Sequence, residues 1–231
     1  MSLQQLPLGF SLRDDATFTN FLPGHNQQIM HTLSAMVQGK GDNYVYIWGA
    51  PGSGRSHLLQ ASCHAAPEFA QTAVYIPLSE PATLTLDFLV GLEHINLICL
   101  DDIEHIAGNQ YWEEQIFHLF NRVRANNKRL IITATVPPVA LSIKLPDLQS
   151  RLSWGTVYQL MALSDEEKLS ALQLRAQRRG LDLDLAVGKF LLRRCPRDMR
   201  QLFNTLEQLD QASLAEQRRL TIPFVKDVLG V

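Results

Sequence analysis

Residues 49–56, Gly-Ala-Pro-Gly-Ser-Gly-Arg-Ser, lie between the apolar run Tyr-Val-Tyr-Ile-Trp and a helix-compatible run that begins with His-Leu-Leu. A glycine-rich loop between a strand and a helix turns its backbone N–H groups inward around phosphate oxygens, and the positive end of the helix dipole points to the same place. A glycine-rich turn without function is the alternative, and the flanking strand and helix disfavour it. The pattern predicts a nucleotide-binding loop formed by Gly49, Pro51, Gly52, Ser53, Gly54, Arg55, Ser56 and His57.

Arg55 stands where the usual phosphate-loop motif has a lysine. Arginine keeps the positive charge but replaces a compact ammonium with a planar fork, which holds phosphate in a different geometry. We therefore expect nucleotide binding to persist and efficient hydrolysis to be weak or absent. The hydroxyl of Ser56 is expected to reach Mg²⁺.

A second motif is the apolar run Leu-Ile-Cys-Leu that ends in Asp101 and Asp102. Ligands of open α/β sheets bind at the carboxyl ends of the strands. Asp101 is expected to hold Mg²⁺ through water, and Asp102 to polarise an attacking water. Two aspartates at a strand end are usually only solvated, but a phosphate loop in the same chain favours the functional interpretation.

The order of strand and helix signals predicts the fold class. Residues beyond 161 show helix signals only, beginning with a capping box at Ser164 and Glu167. Before them, segments that favour helix separate β-rich runs, which predicts an α/β domain with a parallel five-stranded sheet, followed by a small all-helical domain. The β-rich runs are residues 44–48, 73–76, 97–100, 130–134 and 156–160.

Composition narrows the function classes. A formal charge of −2 with 46% hydrophobic residues fits a globular protein and disfavours direct, sequence-specific DNA binding, which needs a basic surface. The three cysteines are too widely separated for a metal site, which favours a reducing compartment. The first residues lack a signal-peptide pattern, and no run approaches the roughly 18 apolar residues of a membrane span. We expect a cytoplasmic protein without membrane contact.

Together these motifs resemble AAA+ nucleotide-binding modules, and more narrowly the DnaA/Hda family of bacterial replication proteins. Residues 18–26 are similar to the box that opens the module, which implies that Phe21 and Leu22 line the base pocket. Residues 131–138 resemble its sensor I strand, with Thr135 where the initiator DnaA has an acidic residue.

The resemblance implies three parts: an N-terminal tail over residues 1–17, an AAA+ α/β domain over 18–161 and a helical lid over 162–231. The chain has no segment that resembles the initiator's DNA-binding domain. That pattern is expected of the family's regulatory members. The implied cofactor is ADP, a nucleoside diphosphate, with Mg²⁺ as an accompanying ion.

Two arginines receive roles from the resemblance. Arg151, in the segment Ser-Arg-Leu-Ser-Trp-Gly, matches an arginine finger that acts on the nucleotide of a neighbouring subunit. An ordinary surface salt bridge is the alternative for Arg151. Arg200 matches the sensor II arginine, which contacts phosphates, although it could instead pair with Asp198.

Residues 5–10, Gln-Leu-Pro-Leu-Gly-Phe, form a further candidate motif. An extended peptide of this kind can insert apolar side chains into a pocket while an amide bonds at its rim. The motif resembles the peptide by which bacterial proteins bind the DNA polymerase sliding clamp, its β subunit. A tail strand that packs on its own domain is the alternative. The candidate clamp-binding residues are Gln5, Leu6, Leu8 and Phe10.

The leading hypothesis is a negative regulator of DNA replication initiation. It binds the clamp, docks on ATP-bound DnaA and stimulates ATP hydrolysis there, the process called regulatory inactivation of DnaA. Head-to-tail docking of this kind would also permit a homodimer or homo-oligomer. Two alternatives remain: an AAA+ motor or loader that hydrolyses ATP itself, and a passive adaptor tethered to the clamp.

Overall fold

The computed structural model describes residues 12–79, 89–196 and 198–230. The candidate clamp-binding motif at residues 5–10 lies outside the described residues. The chain divides into two compact units. Residues up to 50 and 54–160 form the first unit, and residues 51–53 and 161–231 form the second.

The first unit is built on a parallel five-stranded sheet with the order β2-β3-β4-β1-β5. This confirms the predicted fold class, since each β-rich run forms a strand with ends shifted by no more than a residue. The strands are β1 Tyr44–Trp48, β2 Ala73–Pro77, β3 Leu97–Asp101, β4 Arg129–Ala134 and β5 Thr156–Gln159.

Neighbouring strand residues point to opposite sides of the sheet, and buried apolar residues lie on both sides. Helices therefore cover both faces. In β1, Tyr46 belongs to the core that includes Ile116 of α3, whereas Ile47 belongs to the core that includes Leu33 of α1 and Leu58 of α2. The helices of this unit are α1 Gln27–Val37, α2 Arg55–Ala65, α3 Gln110–Ala125 and α4 Pro146–Leu152.

The second unit is helical, with a core that includes Leu172, Leu206 and Phe224, each at most 1% exposed. The predicted capping box is present: Ser164 accepts a hydrogen bond from the Glu167 backbone, and the Glu167 carboxylate accepts one from the Ser164 backbone. The helices are α5 Asp165–Arg178, α6 Leu185–Arg194, α7 Met199–Glu216 and α8 Ile222–Leu229. No helix within the described residues is long and apolar enough to cross a membrane.

The parallel sheet gives the first unit two chemically different edges. β1 and β3 both end at the carboxyl edge, so the phosphate loop after Trp48 and the Asp101–Asp102 pair lie along the same edge. Helix α4 immediately precedes β5 and therefore lies toward the amino edge. The sheet thus separates the phosphate loop from residues 146–155.

A buried carboxylate organises the loop between β4 and α4. The Glu113 side chain on α3 has no exposed surface. It accepts hydrogen bonds from the backbone N–H groups of Gly108 at 2.6 Å, Lys144 at 2.9 Å and Leu145 at 2.8 Å. Since each donor is a backbone group of a loop, this one side chain anchors the chain just before α3 and just before α4.

We predict that Glu113→Gln lowers the free energy of unfolding by about 3 kcal/mol, because an amide NH₂ would face a backbone N–H and the charge-assisted bonds would be lost. Urea denaturation measures the change. Glu114→Gln is the matched control, since within the described residues that neighbouring carboxylate accepts a hydrogen bond only from the Gln110 side chain. Equal midpoints for the two variants would show that the buried carboxylate has no special role.

Candidate functional site

The phosphate loop begins where β1 ends. The Gly49 N–H donates to the carbonyl of Ala134 at 3.1 Å, which ties the loop to β4. Gly52 has φ +78° and Gly54 has φ +104°, a backbone region that strongly favours glycine. A Cβ on Gly54 would lie 2.7 Å from Cε2 of Phe21, so this glycine also permits a close contact. The predicted loop therefore has the backbone that its glycines indicated.

Several predicted nucleotide-binding side chains meet at the start of α2. Phe21 packs against Gly54, and its ring centroid lies 5.6 Å from that of His57. His57 Nε2 lies 2.8 Å from the Thr17 carbonyl oxygen, which holds residues 17–21 against the helix. Leu22 follows Phe21 and is half-buried. The predicted base-pocket segment therefore lies next to the phosphate loop.

Two loop serines differ in their surroundings. The Ser53 hydroxyl is buried, and within the described residues it has no hydrogen-bond partner. A buried hydroxyl without a partner is unfavourable, and a phosphate oxygen would satisfy it. Ser56 lies in the first turn of α2 and is half-buried. The loop therefore offers a polar group that fits an anionic ligand.

The Arg55 guanidinium points to the acidic strand end. It is 8% exposed, donates to the Gly49 carbonyl, and forms a salt bridge with Oδ1 of Asp102 at 2.8 Å. In the usual motif the basic side chain at this position reaches the phosphates. Here the planar fork instead connects the end of β1 to the residue after β3.

Asp101 is held by two hydroxyl donors. Its Oδ2 accepts a 2.7 Å hydrogen bond from Tyr75, and its Oδ1 accepts one from Thr133. The side chain is only 2% exposed. Burial, and then the charge of Asp101, raises the pKa of Tyr75 well above its usual value, so the phenol remains a proton donor to the carboxylate.

Asp102 adopts a strained backbone. Its φ of 57° lies in the left-handed region, and its N–H donates to the Thr133 hydroxyl at 3.1 Å. Burial raises the pKa of Asp102, the adjacent Asp101 raises it further, and Arg55 opposes both effects. Thr133 therefore connects the two aspartates, receiving an N–H from one and donating to the carboxylate of the other.

These contacts test whether the acidic pair suits Mg²⁺. Both oxygens of Asp101 already accept hydrogen bonds, and Asp102 is paired with Arg55. Within the described ranges, no three His, Cys, Asp or Glu side chains are grouped to hold a metal ion. Asp101 is therefore already engaged by protein donors and Asp102 by a protein cation, whereas the Mg²⁺ role predicted for Ser56 and, through water, for Asp101 stays a prediction.

Sequence reasoning missed three side chains of this network: Tyr75, Thr133 and Glu104. Thr133 is a buried polar residue in an otherwise apolar part of β4, next to the strand that ends in the aspartates, and this was a usable signal. Glu104 Oε1 accepts the Thr135 N–H at 3.0 Å. The Glu104 carboxylate therefore lies beside Thr135, the position at which the initiator DnaA has an acidic residue.

Arg151 lies in the last turn of α4, on the opposite edge of the sheet from the phosphate loop. The turn after it is fixed by a Trp154 N–H bond to the Arg151 carbonyl at 3.0 Å and by a Tyr44 hydroxyl bond to the Leu152 carbonyl at 3.0 Å. Among the described residues, no carboxylate forms a salt bridge with Arg151. The alternative of an ordinary salt bridge is therefore not realised within that part of the chain.

An aromatic surface adjoins Arg151. Trp154 is 47% exposed, and the Arg124 guanidinium lies 4.4 Å from its ring centroid. A cavity of about 200 Å³ beside it is lined by Tyr44 and Phe120 as well as by these two residues. Exposed aromatic and arginine side chains are enriched in protein interfaces.

Arg200 lies in the second unit, in the first turn of α7, and is exposed. Asp198 caps this helix by accepting the Gln201 N–H at 3.1 Å. No salt bridge between Arg200 and Asp198 occurs in the described structure. The phosphate-contacting role of Arg200 stays a prediction.

Comparison with known proteins places this geometry in context. The model of the bacterial DnaA ATPase domain matches residues 68–159, and that of the Hda lid domain matches residues 165–229. Domain III of the Thermotoga maritima replication initiation protein DnaA is similar over 96% of this chain and 98% of its own, with a TM-score of 0.80 and 20% identity.

Two further solved structures show the same fold at lower similarity. AMPPCP-bound DnaA from Aquifex aeolicus matches over 89% of this chain and 68% of its own, with a TM-score of 0.74 and 20% identity. The Thermotoga maritima RuvB Holliday junction branch migration motor matches over 93% and 71%, with a TM-score of 0.70 and 15% identity.

The parallel sheet, its phosphate loop and the helical unit that follows define a P-loop module of the AAA+ class. The two family models match successive segments that together cover most of the chain. The chain therefore belongs to the DnaA/Hda family.

We predict that Thr133→Val lowers the free energy of unfolding by about 1–3 kcal/mol, because Asp101 loses a donor and the Asp102 N–H loses its acceptor. Thr135→Val is the control, since the hydrogen bond described for Thr135 comes from its backbone N–H; its effect should stay below about 1 kcal/mol. Chemical denaturation distinguishes them. Equal losses for both variants would contradict the network.

Proposed function

We propose that this protein is a negative regulator of DNA replication initiation that stimulates ATP hydrolysis on the initiator DnaA. The observation that supports it best is the position of Arg151, which lies on the edge of the sheet opposite its own phosphate loop. From there a guanidinium reaches a nucleotide only on another molecule. The family relation to DnaA makes the initiator the expected partner.

The chemistry of such a contact is electrostatic. Negative charge develops on phosphate oxygens as the γ-phosphate leaves, and a guanidinium stabilises that charge more strongly in the transition state than in the ground state. Arginine fingers of this kind contribute about 10³–10⁵ in rate. A half-buried arginine with no carboxylate partner among the described residues is available for that role.

The docking surface includes the residues around the finger. Tyr44 holds the turn between Arg151 and Trp154, and Arg124 stacks on the Trp154 ring. A rigid turn holds the finger in one orientation and reduces the entropy lost on docking. The surfaces used in head-to-tail docking on DnaA would also permit contacts between copies of this chain.

The protein's own nucleotide is proposed to be ADP, in a structural role. The glycine backbone suits the phosphates of a diphosphate, and so does the Ser53 hydroxyl, which has no hydrogen-bond partner among the described residues. Arg55 is paired with Asp102, so the cation that would act on a γ-phosphate is engaged elsewhere. We therefore expect weak or no intrinsic ATPase. The similar Aquifex aeolicus DnaA is described as AMPPCP-bound, which agrees with nucleotide binding in this fold.

Clamp binding is proposed from the N-terminal motif. Its residues Gln5, Leu6, Leu8 and Phe10 lie outside the described residues, so the support is the sequence pattern. An adaptor function alone, or a motor that hydrolyses its own ATP, would fit parts of the same pattern. The experiments below distinguish these alternatives.

We predict that Arg151→Ala abolishes the stimulation of hydrolysis of DnaA-bound ATP, a loss of about 10³-fold or more, because the transition-state charge loses its partner. Arg151→Lys should restore little, since an ammonium lacks the planar fork. The measurement is single-turnover hydrolysis of labelled ATP on DnaA with DNA-loaded clamp. Clamp binding and ADP binding should be unchanged.

Lys144→Ala is the matched control, an exposed cation in the segment just before α4. It should stimulate hydrolysis like the wild type. Stimulation by Arg151→Ala within a few-fold of wild type would favour the passive adaptor. Rapid steady-state ATPase of the protein alone would favour the motor.

We predict that changing Leu8 and Phe10 together to Ala abolishes clamp binding and leaves the fold and ADP affinity unchanged, because these apolar anchors would no longer fill a pocket. Surface plasmon resonance on immobilised clamp measures the loss. A variant with Leu3 and Gln4 changed to Ala is the control for any alteration of the tail, and it should bind the clamp like the wild type. Clamp binding at the wild-type level by the Leu8 and Phe10 variant would refute the assignment of clamp binding to residues 5–10.

A further inference from the structure

The buried Arg55 guanidinium lies at the end of β3, where the carboxylates of Asp101 and Asp102 require a nearby positive charge. It lies 2.8 Å from Asp102 and also donates to the Gly49 carbonyl. Nucleotide sites of P-loop proteins ordinarily meet this requirement with a lysine on the phosphates and a metal held near the acidic strand. Here one side chain of the protein is the cation next to the acids.

The neighbouring Asp101 leaves little access for a metal. Its carboxylate is 2% exposed, and Tyr75 and Thr133 each donate to one of its oxygens. Mg²⁺ requires near-ideal octahedral geometry and retains several waters. A hydrated ion at Asp101 would therefore have to bring its waters into a closed part of the sheet edge where two hydroxyl donors already contact the carboxylate.

The phosphate loop has other positive groups for a diphosphate. Its backbone N–H groups and the N-terminus of α2 attract phosphate oxygens without a metal. The buried Ser53 hydroxyl adds one more polar group, with no partner within the described chain. A diphosphate has no γ-phosphate, so the bridging of β- and γ-oxygens by a metal is not needed.

We propose that this chain binds nucleoside diphosphates without a divalent cation, because Arg55 already neutralises Asp102 at the acidic strand end, beside which a metal would otherwise be held. The inference rests on the proposed nucleotide binding. Arginine suits this role better than lysine, since its fork donates to the Gly49 carbonyl and the Asp102 carboxylate together, whereas an ammonium is a compact point charge. The replacement of lysine at this position is thereby explained.

Isothermal titration calorimetry with ADP, in MgCl₂ and in EDTA, tests the inference on the full chain. The wild type should bind ADP no more tightly in MgCl₂ than in EDTA. Arg55→Lys should release Asp102 for metal binding, so that Mg²⁺ tightens its ADP binding by about tenfold, equivalent to about 1.4 kcal/mol. Arg122→Lys, at a half-exposed arginine paired with Glu93, is the matched control and should behave as the wild type.

A measurement on the wild type alone avoids dependence on the folding of Arg55→Lys. Electron paramagnetic resonance of free Mn²⁺ should show no more bound ion in the protein–ADP complex than in ADP solution. Weakening of wild-type ADP binding by about tenfold in EDTA, or one tightly bound Mn²⁺ per complex, would overturn the inference. Absence of ADP binding in both buffers would instead refute the proposed nucleotide binding itself.

Discussion

The buried ion pair between Arg55 and Asp102 is the interaction on which the site depends. A guanidinium removed from water needs a nearby negative charge and hydrogen-bond acceptors, and here the Gly49 carbonyl and the Asp102 carboxylate supply both. The two acceptors belong to different strand ends, so the pair joins β1 to β3 across β4. The left-handed backbone of Asp102, with φ 57°, persists because these contacts and the Thr133 hydroxyl hold it.

This arrangement separates functions that a nucleotide-hydrolysing module usually combines. The phosphate loop keeps its backbone cradle, while the charged side chains next to it are bound to one another. Arg151 lies on the other edge of the sheet, and the described residues include no carboxylate in a salt bridge with it. Under the proposed function, binding belongs to one edge of the sheet and action on a partner belongs to the other.

Much of the fold was predictable because it depends on periodicity and on glycine. The apolar runs locate the strands, and residues 49–56 contain the glycines that positive φ values require. The capping box of Ser164 and Glu167 was equally predictable, since a spacing of three residues between these two residue types defines it. The candidate site followed from these same signals, as far as the backbone determines it.

The side-chain network was not predictable to the same degree. The direction of the Arg55 fork is a choice between two sets of acceptors, phosphate or carboxylate, and residue type does not decide it. One of the two hydroxyls that donate to Asp101 comes from Thr133, whereas the resemblance directed attention to Thr135 two residues later. Such contacts depend on register between strands that are distant in sequence.

The polarity of a parallel sheet gives the first unit a direction, with Arg151 at one end and the phosphate loop at the other. A contact that joins unlike ends is not self-complementary, so a pair of molecules joined in this way leaves one finger and one loop unused. At one end of the pair, a molecule has a free phosphate loop that can still accept an arginine. At the other end, a molecule has a free Arg151 that can still be donated to a further loop. Growth of any such assembly would be directional, and the identity of the molecule at its end would determine whether a nucleotide there meets an arginine.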